Sequence, residues 1–174
     1  GKGKLLGGPP STERGKVVVL GAGAAGGNSA ALAAAGGANV VVFDMRQDRL
    51  AQMMALGPNV TALYPYAEQV AHEVRDADLV IGAVLIPGAT APKLVSHDVV
   101  ERTRPGSVLV DIAIDQGGCF EDSRPTTQDD AALRAGGARI STAANSPGRA
   151  APSPTPRARP PWSGTQPATP RPTH

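Results

Sequence analysis

Short, wholly apolar runs recur along the chain, and each gives way to a polar or glycine-rich break and then to helical sequence. The runs are "KVVVL" (Lys16–Leu20), "NVVVF" (Asn39–Phe43), the weaker "NVTAL" (59–63), "DLVIGAVL" (Asp78–Leu85), "SVLVDIAI" (Ser107–Ile114) and "ARIST" (Ala138–Thr142). Between them lie an alanine-rich run from Ala24 to Ala35 closed by Gly36 and Gly37, the amphipathic "RQDRLAQMMAL", and a helical stretch at Glu68–Arg75. A strand that is apolar at every residue has both faces buried. Such strands belong to parallel sheets covered by helices on both sides. The pattern therefore predicts an α/β fold, a doubly wound parallel sheet. With 41% hydrophobic but only 3% aromatic residues, Val, Leu, Ile and Ala must build its core.

The first break carries chemistry. "VVVLGAGAAG" sets Gly21, Gly23 and Gly26 in a GxGxxG spacing directly after a strand and before a helix, and Asp44 ends the next strand. In a Rossmann-type fold the first glycine permits the tight turn. The second lets a pyrophosphate approach the backbone, and the third lets helix pack on strand. The free N–H groups of the helix start then face the phosphates. A carboxylate at Asp44 suits both hydroxyls of an adenosine ribose and repels a 2′-phosphate, which favours NAD over NADP. Arg46 and Arg49 follow closely. They read as solvated helix charges, although an arginine here is also what a 2′-phosphate would require.

Charge argues against a nucleic-acid role. The pI is about 9.0, yet residues 1–146 hold 13 Lys and Arg against all 15 Asp and Glu. The excess lies in residues 147–174, where Arg149, Arg157, Arg159 and Arg171 meet no acid. The body thus lacks the basic stripe that phosphate backbones need. The same terminal stretch holds nine of the chain's 17 prolines and no apolar periodicity, so it reads as a disordered Pro/Arg-rich tail. No run approaches the ~20 apolar residues of a membrane span, and no metal site is expected. One cysteine allows no internal disulfide, in keeping with a reducing compartment. The domain reading is a linker at 1–15, a nucleotide-binding domain at 16–146 and the tail at 147–174.

Ligands of open parallel sheets bind beyond the carboxyl ends of the strands. "GAVLIPGATAPKLV" leaves the fourth strand there, which places Val84 and Leu85 to line a nucleotide pocket. "VLVDIAIDQGGCFE" leaves the fifth at the same edge. Read as one strand through Ile114, it would put Asp111 and Asp115 on one face. Asp115 is then the residue at the mouth, and Asp111 a hydrogen-bonded structural carboxylate.

The segments "KVVVLGAGAAGGNSA", "GAVLIPGATAPKLV", "PGSVLVDIAIDQGGCFEDSRPTT" and "AAN" followed by "PG" closely resemble the cofactor domain of bacterial L-alanine dehydrogenases, over about residues 1–148. The resemblance implies an oxidoreductase that uses NAD to convert L-alanine and water to pyruvate and ammonia. It further implies a cytoplasmic protein and a homo-oligomer, a hexamer in that family. By position it assigns Asp115 as the catalytic aspartate and Asp44 as the ribose-binding acid. Ala24 and Ala25 fall in the pyrophosphate turn, and Arg49 near the adenosine. Val84, Leu85, Ile112, Ala113 and Ile114 fall on cofactor-lining positions. Arg124, Ala143, Ala144, Asn145 and Ser146 fall nearer the nicotinamide. His72 and His97 match nothing functional and are expected on the surface.

Two positions depart from the family: Ser146 stands where methionine is usual, and Pro65 where a serine contacts the adenosine. The family's catalytic histidine and carboxylate-binding basic residues lie in an earlier substrate domain that this sequence does not include. After Gly148 the family's pattern gives way to the Pro/Arg composition, as in GC-rich coding sequence read out of frame. The expectation is thus an incomplete chain, inactive by itself. The alternatives are the NAD-binding domain of a transhydrogenase α subunit and a non-catalytic NAD-binding module. The transhydrogenases carry glutamate at the Asp115 position and Asn-Cys at Cys119–Phe120, so both positions favour alanine dehydrogenase.

Overall fold

The computed structural model describes residues 6–8, 11–86, 88–123, 132–135 and 138–142. In chain order they form β1 (Lys16–Leu20), α1 (Ala24–Ala35), β2 (Asn39–Phe43), α2 (Gln47–Met54), β3 (Val60–Leu63) and α3 (Ala67–Arg75). There follow β4 (Leu79–Gly82), α4 (His97–Glu101), β5 (Val108–Asp111), a 3₁₀ turn at Ile114–Gln116, β6 (Ala132–Ala135) and β7 (Ala138–Thr142).

The strands make one sheet in the order β3-β2-β1-β4-β5-β7-β6. Pairing is parallel from β3 to β7, and only β6 runs antiparallel, on the edge against β7. The predicted doubly wound sheet is therefore present. The chain winds outward through β1, β2 and β3, then returns to β4 on the other side of β1. That reversal opens the crevice at the carboxyl ends of β1 and β4.

Strict alternation along the strands divides the core. Val17 and Val19 pack with Val40, Val42, Ala30, Ala33 and Met53 beneath α1 and α2. Val18 and Leu20 pack with Phe43, Val70, Val74, Leu109 and Phe120 beneath α3 and α4. Burying such side chains contributes roughly 1.5–3 kcal/mol each, so the sheet centre is the stable part of the molecule. Alanine and glycine on the inner face of α1 let this helix lie close to β1. Gly37 (φ +85°) then ends it. Its N–H donates to the Ala34 carbonyl at 3.0 Å and the N–H of Ala38 to that of Ala33 at 3.1 Å, a Schellman closure.

Two sequence expectations are corrected. The fourth and fifth strands stop at Gly82 and Asp111 rather than at Leu85 and Ile114. Beyond that level β1 has already turned into its glycine loop, so the ladder has no partner to continue with. Asp111 and Asp115 consequently do not share a strand face, because Asp115 lies in the 3₁₀ turn. Helix α4 and strand β6 were not legible in the hydrophobic pattern.

Candidate functional site

The three glycines of the first loop meet three different demands. Gly21 has φ +96°, and a Cβ there would stand 2.8 Å from the Ala83 carbonyl oxygen and 3.0 Å from Val84 Cα. The turn thus presses against the first residues beyond β4, at the topological switch. On Gly26 a Cβ would overlap the Gly21 carbonyl, which locks the start of α1 against the turn. Gly23 is different, for the nearest atom to a Cβ there is Arg49 Nη1 at 3.9 Å. Open space faces its backbone. Gly23 precedes α1 without any side-chain cap on the helix's first turn. Ala24 and Ala25 are exposed beside it.

Asp44 follows β2 and is only 9% exposed. One carboxylate oxygen accepts the Ala22 N–H at 2.8 Å and the other accepts the Arg46 N–H at 2.8 Å. The carboxylate therefore holds the glycine loop in place and still has acceptor capacity for a ligand. Arg49 Nη1 lies 3.5 Å from the first of those oxygens. Its guanidinium thus spans the opening between Gly23 and Asp44. The neighbouring Arg46 is taken up otherwise. It pairs with Asp48 at 2.7 Å on the exposed surface, and the hydrogen bond and charge of Asp48 raise its pKa.

The loops after β4 and β5 form one interlocked layer. Ala91 N–H donates to the Gln116 carbonyl at 2.8 Å and Leu94 N–H to that of Cys119 at 2.9 Å. Glu121 N–H returns to the Val95 carbonyl at 2.9 Å. Lys93 Nζ donates to the carbonyls of Gly117 and, at 3.0 Å, Phe120. Sequence reasoning missed Lys93. The signal available was a lysine set in an otherwise uncharged loop at the carboxyl edge.

Asp111 is the other clamp. It is fully buried and accepts from Ala113 N–H (3.0 Å), Cys119 N–H (2.8 Å), Phe120 N–H (3.4 Å) and the Ser123 hydroxyl. It is the hydrogen-bonded structural carboxylate expected of it. Asp115, at the middle of the 3₁₀ turn that these bonds stabilise, is exposed at the mouth. Val84 is half-buried and Leu85 is 63% exposed. Ile112 is half-buried, whereas Ala113 and Ile114 are each 3% exposed and offer a ligand chiefly their main chain. Cys119 is buried, and burial pushes its thiol up to about 12. It is no nucleophile at neutral pH. Arg124, Ala143, Ala144, Asn145, Ser146 and the tail at 147–174 lie outside the described residues.

His97, like His72, is on the surface as expected, but it is engaged. Its Nδ1 lies 2.9 Å from Asp122 and its Nε2 3.3 Å from Glu101, while its backbone N–H donates to Glu121. The Asp122 hydrogen bond, then the Asp122 and Glu101 charges, raise its pKa.

Residues 1–156 match the family described as "Alanine dehydrogenase/PNT, C-terminal domain". The chain belongs to this family. Alanine dehydrogenase of Mycolicibacterium smegmatis is 47% identical over 149 residues, which is 85% of this chain and 40% of the relative. That of Geobacillus stearothermophilus is 48% identical over 150 residues, again 85% and 40%. Among solved structures, an L-alanine dehydrogenase superposes with a TM-score of 0.79 at 43% identity, covering 84% of this chain and 41% of that one. A transhydrogenase from Sinorhizobium meliloti gives 0.67 at 34% identity, covering 75% and 37%. The chain thus spans about 40% of the length of the relatives it matches. Among the described residues, no helix is long and apolar enough to cross a membrane.

Proposed function

We propose that residues 16–146 are the NAD-binding domain of a cytoplasmic, oligomeric L-alanine dehydrogenase, which in complete form converts L-alanine, NAD and water to pyruvate, ammonia and NADH. The observation that carries this reading is the Gly23–Asp44 opening. It combines bare backbone, an uncapped helix start and a buried carboxylate locked at the end of β2. These residues fit a dinucleotide. The turn and helix start would take the pyrophosphate, and Asp44 the adenosine ribose. Bound there, the nicotinamide supplies the hydride acceptor for the alanine Cα. Asp115, exposed at the adjoining mouth, is the group of this chain placed to take up and return protons as water adds and ammonia leaves.

Asp44 also sets the choice of cofactor. A phosphate on the 2′-oxygen would meet a buried carboxylate already engaged by two N–H groups. Titrating NADH and NADPH fluorescence with the full chain tests this. NADH should bind more tightly, and Asp44→Ala should narrow the difference. Equal or tighter NADPH binding by the unsubstituted chain would refute the assignment.

A further inference from the structure

The amino edge of the sheet, away from the glycine loop, carries a concave surface of its own. Lys16 and Asn39 are register partners at the first positions of β1 and β2, and Asp78, just before β4, stands opposite Lys16. Parallel partners share a face of the sheet. Here it is the α3/α4 face, because Val18, Val41 and Val80, each two residues further on, belong to that core. With Val41 these residues floor a cleft of about 380 Å³, whose walls come from Glu13 and Arg14 before β1 and from Asp76 and Arg104. The volume is that of a small-molecule site. The length of a five-residue strand, about 16 Å, separates it from the carboxyl edge. The wall before β1 is held in place. Gly15 N–H donates to the Leu6 carbonyl at 3.0 Å, and Asn39 N–H to that of Gly15 at 2.9 Å. On Gly7 a Cβ would overlap the Gly36 carbonyl at the end of α1. Ser11 has φ +78°, a left-handed conformation that a non-glycine residue keeps only where its surroundings impose it.

The charges of the cleft decide what it can take. Lys16 is used within the fold: its Nζ lies 2.7 Å from Glu73, and its N–H donates to Asp78 at 2.9 Å. Arg104 Nη2 lies 3.1 Å from Asp76 Oδ1, and both side chains are about half exposed (49% and 46%). That pair therefore shows solvent a cation and an anion side by side. Arg14 is exposed and adds a guanidinium that pairs with no described residue. A simple anion entering the cleft would meet the carboxylates of Asp76 and Asp78, and a simple cation would meet the two guanidinium groups. A small molecule that carries both charges satisfies both sets, through charge-assisted hydrogen bonds. Val41 gives it an apolar floor. We infer that the amino-edge cleft is a ligand site for a small apolar α-amino acid in its zwitterionic form. Its carboxylate lies on Arg14 and Arg104, its ammonium on Asp76 and its side chain toward Val41. The site is separate from the Gly23–Asp44 opening, and the inference does not rest on the dinucleotide reading.

Titrating the ¹⁵N-labelled full chain with L-valine tests this beside two one-charge analogues. Isovalerate lacks the ammonium, and isobutylamine lacks the carboxylate. Valine should shift the amides of Arg14, Asn39, Asp76 and Arg104 and leave those of Gly23 and Asp115 in place. Each analogue should bind at least about 10-fold more weakly, the loss of one charge-assisted contact. Arg14→Gln, at an exposed position, should weaken valine and isovalerate by about 10-fold and leave isobutylamine and NADH unaffected. Asp76→Asn should weaken valine and isobutylamine but not isovalerate. If either analogue binds as tightly as valine, the cleft reads a single charge and the inference is overturned. Valine shifts confined to the mouth, or normal valine binding by the Arg14→Gln chain, would overturn it as well. Failure of NADH to bind, with valine still shifting the amino-edge amides, would sink the dinucleotide reading and leave this one standing.

Discussion

Replacing Asp111 by asparagine tests how the mouth of the site is held. The carboxylate is fully buried and accepts from four donors, with Oδ1 serving Ala113 N–H and Oδ2 serving Cys119 N–H, Phe120 N–H and the Ser123 hydroxyl. Asparagine keeps the shape but turns one oxygen into an NH₂ group. The cheaper orientation leaves its carbonyl toward Cys119, Phe120 and Ser123, so that the NH₂ meets the Ala113 N–H. Two buried donors, the Ala113 N–H and the new NH₂, then lack an acceptor, at about 1–3 kcal/mol each, and each remaining bond falls from charge-assisted to neutral strength, a further ~0.5–1 kcal/mol apiece. Relief from burying a charge offsets part of this, leaving about 3 kcal/mol. For a domain of this size that is a loss of roughly 10 °C in Tm. Thermal unfolding by circular dichroism measures it. Ser123→Ala removes a single donor and should cost far less. A change in Tm below about 2 °C for Asp111→Asn, equivalent to ~0.5 kcal/mol, would refute the claim that these four bonds hold the loop.

Three further outcomes are expected. Burial holds the Cys119 thiol up at about 12, so Ellman's reagent at pH 8 should label the chain only as fast as it unfolds; rapid stoichiometric labelling of the native protein would contradict this. The raised pKa of His97 means that its protonated form is favoured by folding, so its small contribution is complete below its ordinary 6.5 and is lost as pH rises through the folded value. In an NMR titration Asp122→Asn should bring His97 back toward 6.5, and an unchanged midpoint would show that Asp122 is not the cause. Lys93→Met should speed hydrogen exchange at the amides of Gln116–Phe120 while leaving β1 and β2 protected, and unchanged exchange would deny Lys93 its clamping role.

What the sequence revealed depended on whether the information was local. The ends of β1, α1, β2 and β7 agree with the reading because each is marked by its own residues: continuous apolar runs, an alanine stretch, a closing Gly36–Gly37 pair. The glycine spacing and Asp44 were visible for the same reason, since turn and acid lie within one strand–helix–strand unit. The ends of β4 and β5 were misread. Leu85 and Ile114 are as apolar as the residues before them, and nothing local says that the neighbouring strand β1 has ended at Leu20. Strand β6 is short and carries Arg134 among alanines, so its pattern resembles no buried strand.

The mouth loops show why the remainder is not local. Among the described residues between Ala83 and Ser96 almost no regular structure forms, yet this stretch is tied to residues 116–121 by Ala91, Lys93, Leu94 and Val95. Each of those bonds joins residues 24 or more positions apart. The bonds exist only once β4 and β5 have paired in parallel, with Gly82 beside Asp111. Asp111 then draws the chain back through Ala113, Cys119 and Phe120, and the 3₁₀ turn at Ile114–Gln116 carries Asp115 to the edge. The proposed proton-transfer group thus sits in a loop that its neighbours' main chain holds to Asp111. That arrangement leaves the Asp115 carboxylate at the mouth and places the mechanical load on Asp111 and Lys93.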